Sequence, residues 1–195
     1  MSRKNSNTTA DYLEWNVAVN LVHRLFRDGN FKMSLLFGCG IFFGLRISDL
    51  LQLTWSMLLD DTQFELIEKK TQKRREVKIN ANFQKHIKEC YIKLSIKDPN
   101  EKCFLNPRGK IYTVQHINVL FKQIKKIYGL KIRNFSTHSC RKIFGRHVYE
   151  SASSNGELAL VMLAELFNHS SITITRRYLG IRREEILACY DLLEF

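Results

Sequence analysis

The chain has 195 residues, enough for one domain with a sizeable core, and 31 lysines and arginines against 19 aspartates and glutamates give it a net charge of +12. That excess points to a polyanionic partner, nucleic acid first, with a solvated basic surface as the plain alternative. Five widely spaced cysteines without a CxxC pair exclude the usual zinc and dithiol motifs and read as reduced thiols of a cytoplasmic protein. The most apolar run, residues 33 to 45, is too short for a membrane span and too far from the start for a signal peptide.

The first ten residues, MSRKNSNTTA, are polar and aperiodic, a flexible tail or linker remnant, and order is expected over residues 11–195. Leu13, Val17, Leu21 and Leu25 recur at helical spacing, and the next segment is apolar almost all round up to Phe43, as a central buried helix would be. Gly44 is placed to stop that helix. Ser48, with Asp49 beside it, reads as the N-cap of a short helix over SDLLQLTW. A turn is expected around Asp60, Asp61 and Thr62. FELIEKK and REVKIN then alternate with period two, which predicts a hairpin with TQKR at its tip.

Helical periodicity returns in ANFQKHIKECYIKLSI and TVQHINVLFKQIKKIYG, separated by a segment that holds both prolines. Three more helices are expected over roughly 137–152, 156–168 and 171–179. A last one, over about 182–195, sets Ile186, Tyr190 and Leu193 on one stripe that must be buried on its own domain or on a neighbouring subunit. The expected class is mainly α with a small antiparallel β-sheet, an α+β arrangement.

Four short pieces carry candidate chemistry: GLRISDLL with Arg46, KKTQKRREV with Lys70, THSCRKIFGRH with His138 and Arg141, and LFNHSSITITRRYLG with His169 and Tyr178. Singly, each has a plain reading. An arginine after an apolar helix caps it or lies on the surface, a hairpin lysine guards an edge, and a histidine or tyrosine satisfies a hydrogen bond in the core. His138 and Arg141, three apart, project from one helix face and can converge on one group.

In this order the four pieces resemble the tyrosine recombinases, the phage-integrase family of site-specific DNA recombinases. GLRISDLLQLTW matches the family's first arginine motif through Arg46. The basic hairpin offers Lys70 where a "KTG" lysine stands, with Lys73 as the weaker competitor. HSCR supplies the "H-x-x-R", and a histidine nine residues before the tyrosine matches His169 and Tyr178. Three departures accompany the match: Asn168 stands where a glycine is usual, Gln72 where the "KTG" glycine is, and Lys142 where a histidine commonly follows the second arginine. The family's N-terminal core-binding domain has no room in the tail, so the sequence looks like the catalytic domain alone.

The chemistry is consistent with those residue types. Transfer at a phosphodiester spreads negative charge over non-bridging oxygens, and guanidinium groups such as Arg46 and Arg141 offer paired, permanently charged donors. A tyrosine with a pKa of about 10 needs help to attack, and His138 is the candidate base. The resemblance assigns leaving-group protonation to Lys70 and phosphate binding or orientation to His169. It implies a 3′-phosphotyrosyl link and a Holliday junction, without metal or ATP, and a tetramer on paired DNA sites from a chain that can be a monomer without DNA. Lys69, Lys73, Arg74, Arg75, Arg176 and Arg177 are the further candidates for contact with the DNA backbone. Two rival readings keep the resemblance: a telomere resolvase or type IB topoisomerase-like enzyme, and a catalytically silent DNA-binding regulator.

Overall fold

A computed structural model describes residues 10–59 and 62–193. The expected N-terminal tail up to residue 9, the Asp60–Asp61 part of the turn and the last two residues of the C-terminal helix lie outside them. The chain divides into two compact units between Phe144 and Gly145.

In the first unit, α1 (Trp15–Arg27) buries Ala18, Leu21, Val22 and Leu25. This corrects the expected stripe: Val17 is 47% exposed, and Leu13, although buried, precedes the helix. Steps of four residues drift about 40° each around a helix, whereas the i, i+3, i+4, i+7 set stays on one face. Helix α2 (Phe31–Phe43) is buried nearly all round, as its composition requires. Its Phe37 meets Phe121 and Phe135 at ring distances of 5.9 and 5.8 Å. Gly44 ends α2 with φ +57°, and a Cβ there would lie 2.5 Å from the Phe144 ring, so only glycine serves.

The single helix expected over SDLLQLTW is two: α3 (Ile47–Leu50) and α4 (Trp55–Leu59). Its cap is Arg46, not Ser48. The extended Arg46 carbonyl accepts the N–H groups of Asp49 and Leu50 at 2.9 and 3.0 Å, which starts the helix at Ile47 and draws Ser48 inside.

The predicted hairpin is present as β1 (Gln63–Ile67) and β2 (Arg74–Lys78), antiparallel and the only sheet among the described residues. Phe64 pairs opposite Val77, and both face the core. Helix α5 (Ala81–Lys93) is capped by Asn80 and α6 (Val114–Ile127) by Thr113. Helix α7 (Thr137–Ser151) contributes residues 137–144 to the first unit and 145–151 to the second.

The second unit adds α8 (Gly156–Leu166), α9 (Ile172–Leu179), α10 (Ile181–Ala188) and a 3-10 turn over Cys189–Leu192. A Cβ on Gly145 would come within 2.6 Å of Leu179, so α7 and α9 approach closely there. The C-terminal stripe is exposed: Ile186, Tyr190 and Leu193 show 47%, 67% and 75% of their surface. Of the two placements open to it, burial on its own domain is not the arrangement seen. All five cysteines are free, and Cys189 alone among them is exposed. Among the described residues no helix is long and apolar enough to cross a membrane.

Candidate active site

In the first unit the turn after α2 is the organising feature. The left-handed Gly44 points its carbonyl at Arg141, whose Nη1 donates to it at 2.9 Å; the arginine is 5% exposed. Two residues on, Arg46 donates from Nη1 to Glu68 Oε2 at 2.7 Å. Glu68 is fully buried at the end of β1 and also accepts from Thr71 Oγ1 at 2.7 Å and Arg75 Nη1 at 3.3 Å. Asp49, likewise buried, accepts the Lys69 backbone N–H at 2.9 Å, while its Oδ2 has no partner among the described residues. Segments 44–49, 68–75 and 138–141, far apart in sequence, are thus tied together around one turn.

Lys70 lies in the four-residue loop 69–72, closed by Glu68 N–H to Lys73 O at 2.9 Å and Gln72 N–H to Glu68 O at 2.8 Å. Lys69, Lys70 and Lys73 are exposed. Gln72 takes φ +55°, a left-handed bend that glycine would adopt at less cost. Partial desolvation, then the charges of Arg141 and Lys142, lowers the His138 imidazole from its ordinary 6.5, which keeps it neutral and able to accept a proton near pH 7.

The second unit holds the other pair. α8 ends in a Schellman arrangement: Asn168 N–H bonds Glu165 O and His169 N–H bonds Ala164 O, both at 2.9 Å, with Asn168 at φ +51°. Asparagine tolerates that conformation better than most residues, so Asn168 can close α8 and present His169. His169 Nδ1 hydrogen-bonds Thr175 Oγ1 at 3.0 Å. Its ring meets the Tyr178 ring edge-on at 5.4 Å, and Phe167 packs edge-on against both, at 5.5 and 5.8 Å. Tyr178 stands in the last turn of α9, half-buried.

Three arginines read as DNA contacts are paired with carboxylates of the chain itself. Arg75 bridges Glu68 and the Phe43 carbonyl, the latter at 2.7 Å, and is largely buried. Arg176 joins α8 to α10 through Glu157 and Glu185. Arg74 pairs with Glu65 at the surface, an exposed contact that a phosphate can displace at little cost. Arg177 is exposed. A basic surface absent from the sequence-based list lies around an open hollow of about 790 Å³ lined by Lys122, Lys125, Lys126 and Arg133. Its signal was the absence of any acidic residue between 122 and 133.

Residues 25–185, which include all six candidate catalytic positions, match the model of the phage integrase family. The probable integrase/recombinase YoeC of Bacillus subtilis is 34% identical over 159 residues, covering 80% of this chain and 82% of that protein. Tyrosine recombinase XerC of Leptospira interrogans is 27% identical over 151 residues, which are 75% of this chain but 46% of XerC. Among solved structures, the XerA recombinase superposes with a TM-score of 0.69 at 19% identity, over 97% of this chain and 68% of that one. The XerH site-specific recombinase bound to palindromic difH substrate, in its post-cleavage complex, gives 0.67 at 18%, over 98% and 55%. With a two-strand sheet in a mainly helical fold and the four motifs in order, the chain belongs to the phage integrase family, the tyrosine recombinases.

Proposed function

We propose that this chain cleaves and rejoins duplex DNA at specific sites. Arg46 and Arg141 hold the non-bridging oxygens of the scissile phosphate, where charge develops. Tyr178 Oη attacks phosphorus and gives its proton to His138. The bond to the 5′ oxygen breaks, Lys70 protonates that oxygen, and a 3′-phosphotyrosyl link remains. Attack by the 5′ hydroxyl of a second strand reverses these steps and passes through a Holliday junction. The bond energy stays in the phosphotyrosyl link, so the scheme draws on no metal and no ATP. His169 binds the same phosphate or orients Tyr178, and the Thr175 hydroxyl sets which ring nitrogen faces it.

What supports this reading most is the joining of segments 44–49, 68–75 and 138–141 around Gly44, which gathers two arginines, a neutral histidine and the lysine loop in one unit. Duplex DNA is the proposed partner, held by Lys69, Lys73 and Arg177 and by the lysines around the basic hollow, so affinity falls steeply with salt. The exposed stripe of α10 and the 3-10 turn is proposed to dock on a neighbouring subunit when a tetramer forms on paired sites. Cytoplasmic action is part of the same proposal.

The test is covalent trapping on a nicked suicide substrate. The wild-type chain forms an adduct, and Tyr178→Phe binds the DNA but forms none. An adduct of undiminished yield from Tyr178→Phe would sink the assignment. On a 5′-phosphorothiolate substrate, whose leaving group needs no acid, Lys70→Ala recovers and Lys73→Ala is unchanged; recovery of Lys73→Ala alone reverses the choice of lysine.

A further inference from the structure

Glu68 sits directly before the lysine loop in a place where an unpaired carboxylate would be strongly disfavoured. Its donors come from two directions. Arg46 reaches it from the turn after α2, while Thr71 and Arg75 reach it from the loop and from β2. Its backbone also closes the loop on both sides, through Lys73 O and Gln72 N–H. Burial alone would raise the Glu68 carboxyl, but the Thr71 and Arg46 hydrogen bonds and the charges of Arg46 and Arg75 outweigh it and hold the group below its ordinary value. The carboxylate therefore stays ionised throughout the neutral range.

We propose that Glu68 is a positioning residue: it aims Arg46 at the scissile phosphate and, through Thr71, fixes the loop that carries Lys70. This rests on the roles given to Arg46 and Lys70 above. One buried carboxylate then sets both the phosphate clamp and the acid, so that neither is placed independently of the other. Arg75 supports Glu68 from the far side and is itself anchored on Phe43 O, one residue before Gly44. That contact links Glu68 to the same turn that holds Arg141.

The test separates positioning from simple stabilisation. Adduct formation is timed at saturating DNA on the ordinary and the 5′-phosphorothiolate substrates, with DNA affinity and thermal melting measured alongside. Glu68→Gln is expected to slow cleavage about tenfold to a hundredfold, and Thr71→Ala about threefold to tenfold, as small misplacements of catalytic groups do. Affinity should be nearly unchanged in both. Thr71→Ala disturbs only the lysine loop and should recover fully on the phosphorothiolate, whereas Glu68→Gln should recover in part, because Arg46 remains misaimed. Thr71→Ser keeps the hydroxyl and restores most of the rate. Because Thr71 lies in a surface loop, its variants fold even if Glu68→Gln does not. Wild-type rates in both variants, or defects that ignore the leaving group, overturn the positioning role while leaving Tyr178-dependent cleavage standing. An adduct that survives Tyr178→Phe overturns the nucleophile and leaves the clamp's effect on rate to be read in the same experiment.

Discussion

The two units hold their candidate residues by different means. In the first, charged side chains are locked by buried partners: Glu68 on Arg46, and the Gly44 carbonyl on Arg141. In the second, Tyr178 and His169 rest on each other and on Phe167 by ring edges, with the Thr175 hydroxyl on His169. Charge-assisted hydrogen bonds in a buried setting fix direction tightly, while ring edges fix distance and leave orientation freer. The proposed phosphate clamp is thus the more preorganised of the two groups, and the proposed nucleophile is the one that substrate and neighbours can adjust.

The sharpest way to break this contrast is to remove one donor of the proposed clamp. Arg141→Ala should slow adduct formation about a hundredfold to a thousandfold at saturating DNA, in line with loss of a preorganised donor. Gly44→Ala attacks the same corner through the backbone. It combines a left-handed alanine with a collision against Phe144 and should lower stability by about 2–4 kcal/mol, read in denaturant melts. On the other side, Thr175→Val keeps the shape and removes the His169 partner. It should cost about 1–2 kcal/mol of stability, and cleavage should slow more than in a control at Ile174.

Acid should weaken both units. His86, His138 and His147 are all lowered from 6.5, chiefly by burial, so the folded chain binds fewer protons than the unfolded one. Their contribution is complete above 6.5 and declines as pH falls below it, towards and through their folded values. Glu68, lowered from 4.5, is complete above that value and is lost further down. Melting temperature should fall between pH 7 and 5, and cleavage with it as His138 gains a proton. The smallest effect is expected from Asn168→Gly, within about 0.5 kcal/mol of wild type, since the left-handed turn already suits asparagine.

The catalytic candidates were legible because each sits in a short pattern of fixed spacing, and the elements carrying them followed from periodicity. What escaped the sequence depends on pairings between distant residues. A glutamate at a strand end looks solvated until Arg46, 22 positions earlier, is seen to reach it. Arg75 and Arg176 counted as cations for DNA because their carboxylate partners, at 68, 157 and 185, cannot be assigned by spacing. Ser48 lost its cap role for a local reason: the bend at Gly44 already leaves Arg46 extended, so the helix starts early.

The distribution of thiols has a practical consequence. Burial raises the pKa of Cys39, Cys90, Cys103 and Cys140, which makes them poor nucleophiles towards alkylating reagents. Cys189 is exposed on the 3-10 turn that carries the uncovered apolar stripe. In the folded chain a maleimide dye should therefore mark one position, on the segment proposed to dock. The unaltered protein thus carries its own single-site reporter, whose emission would change as the C-terminal stripe moves from water into an interface.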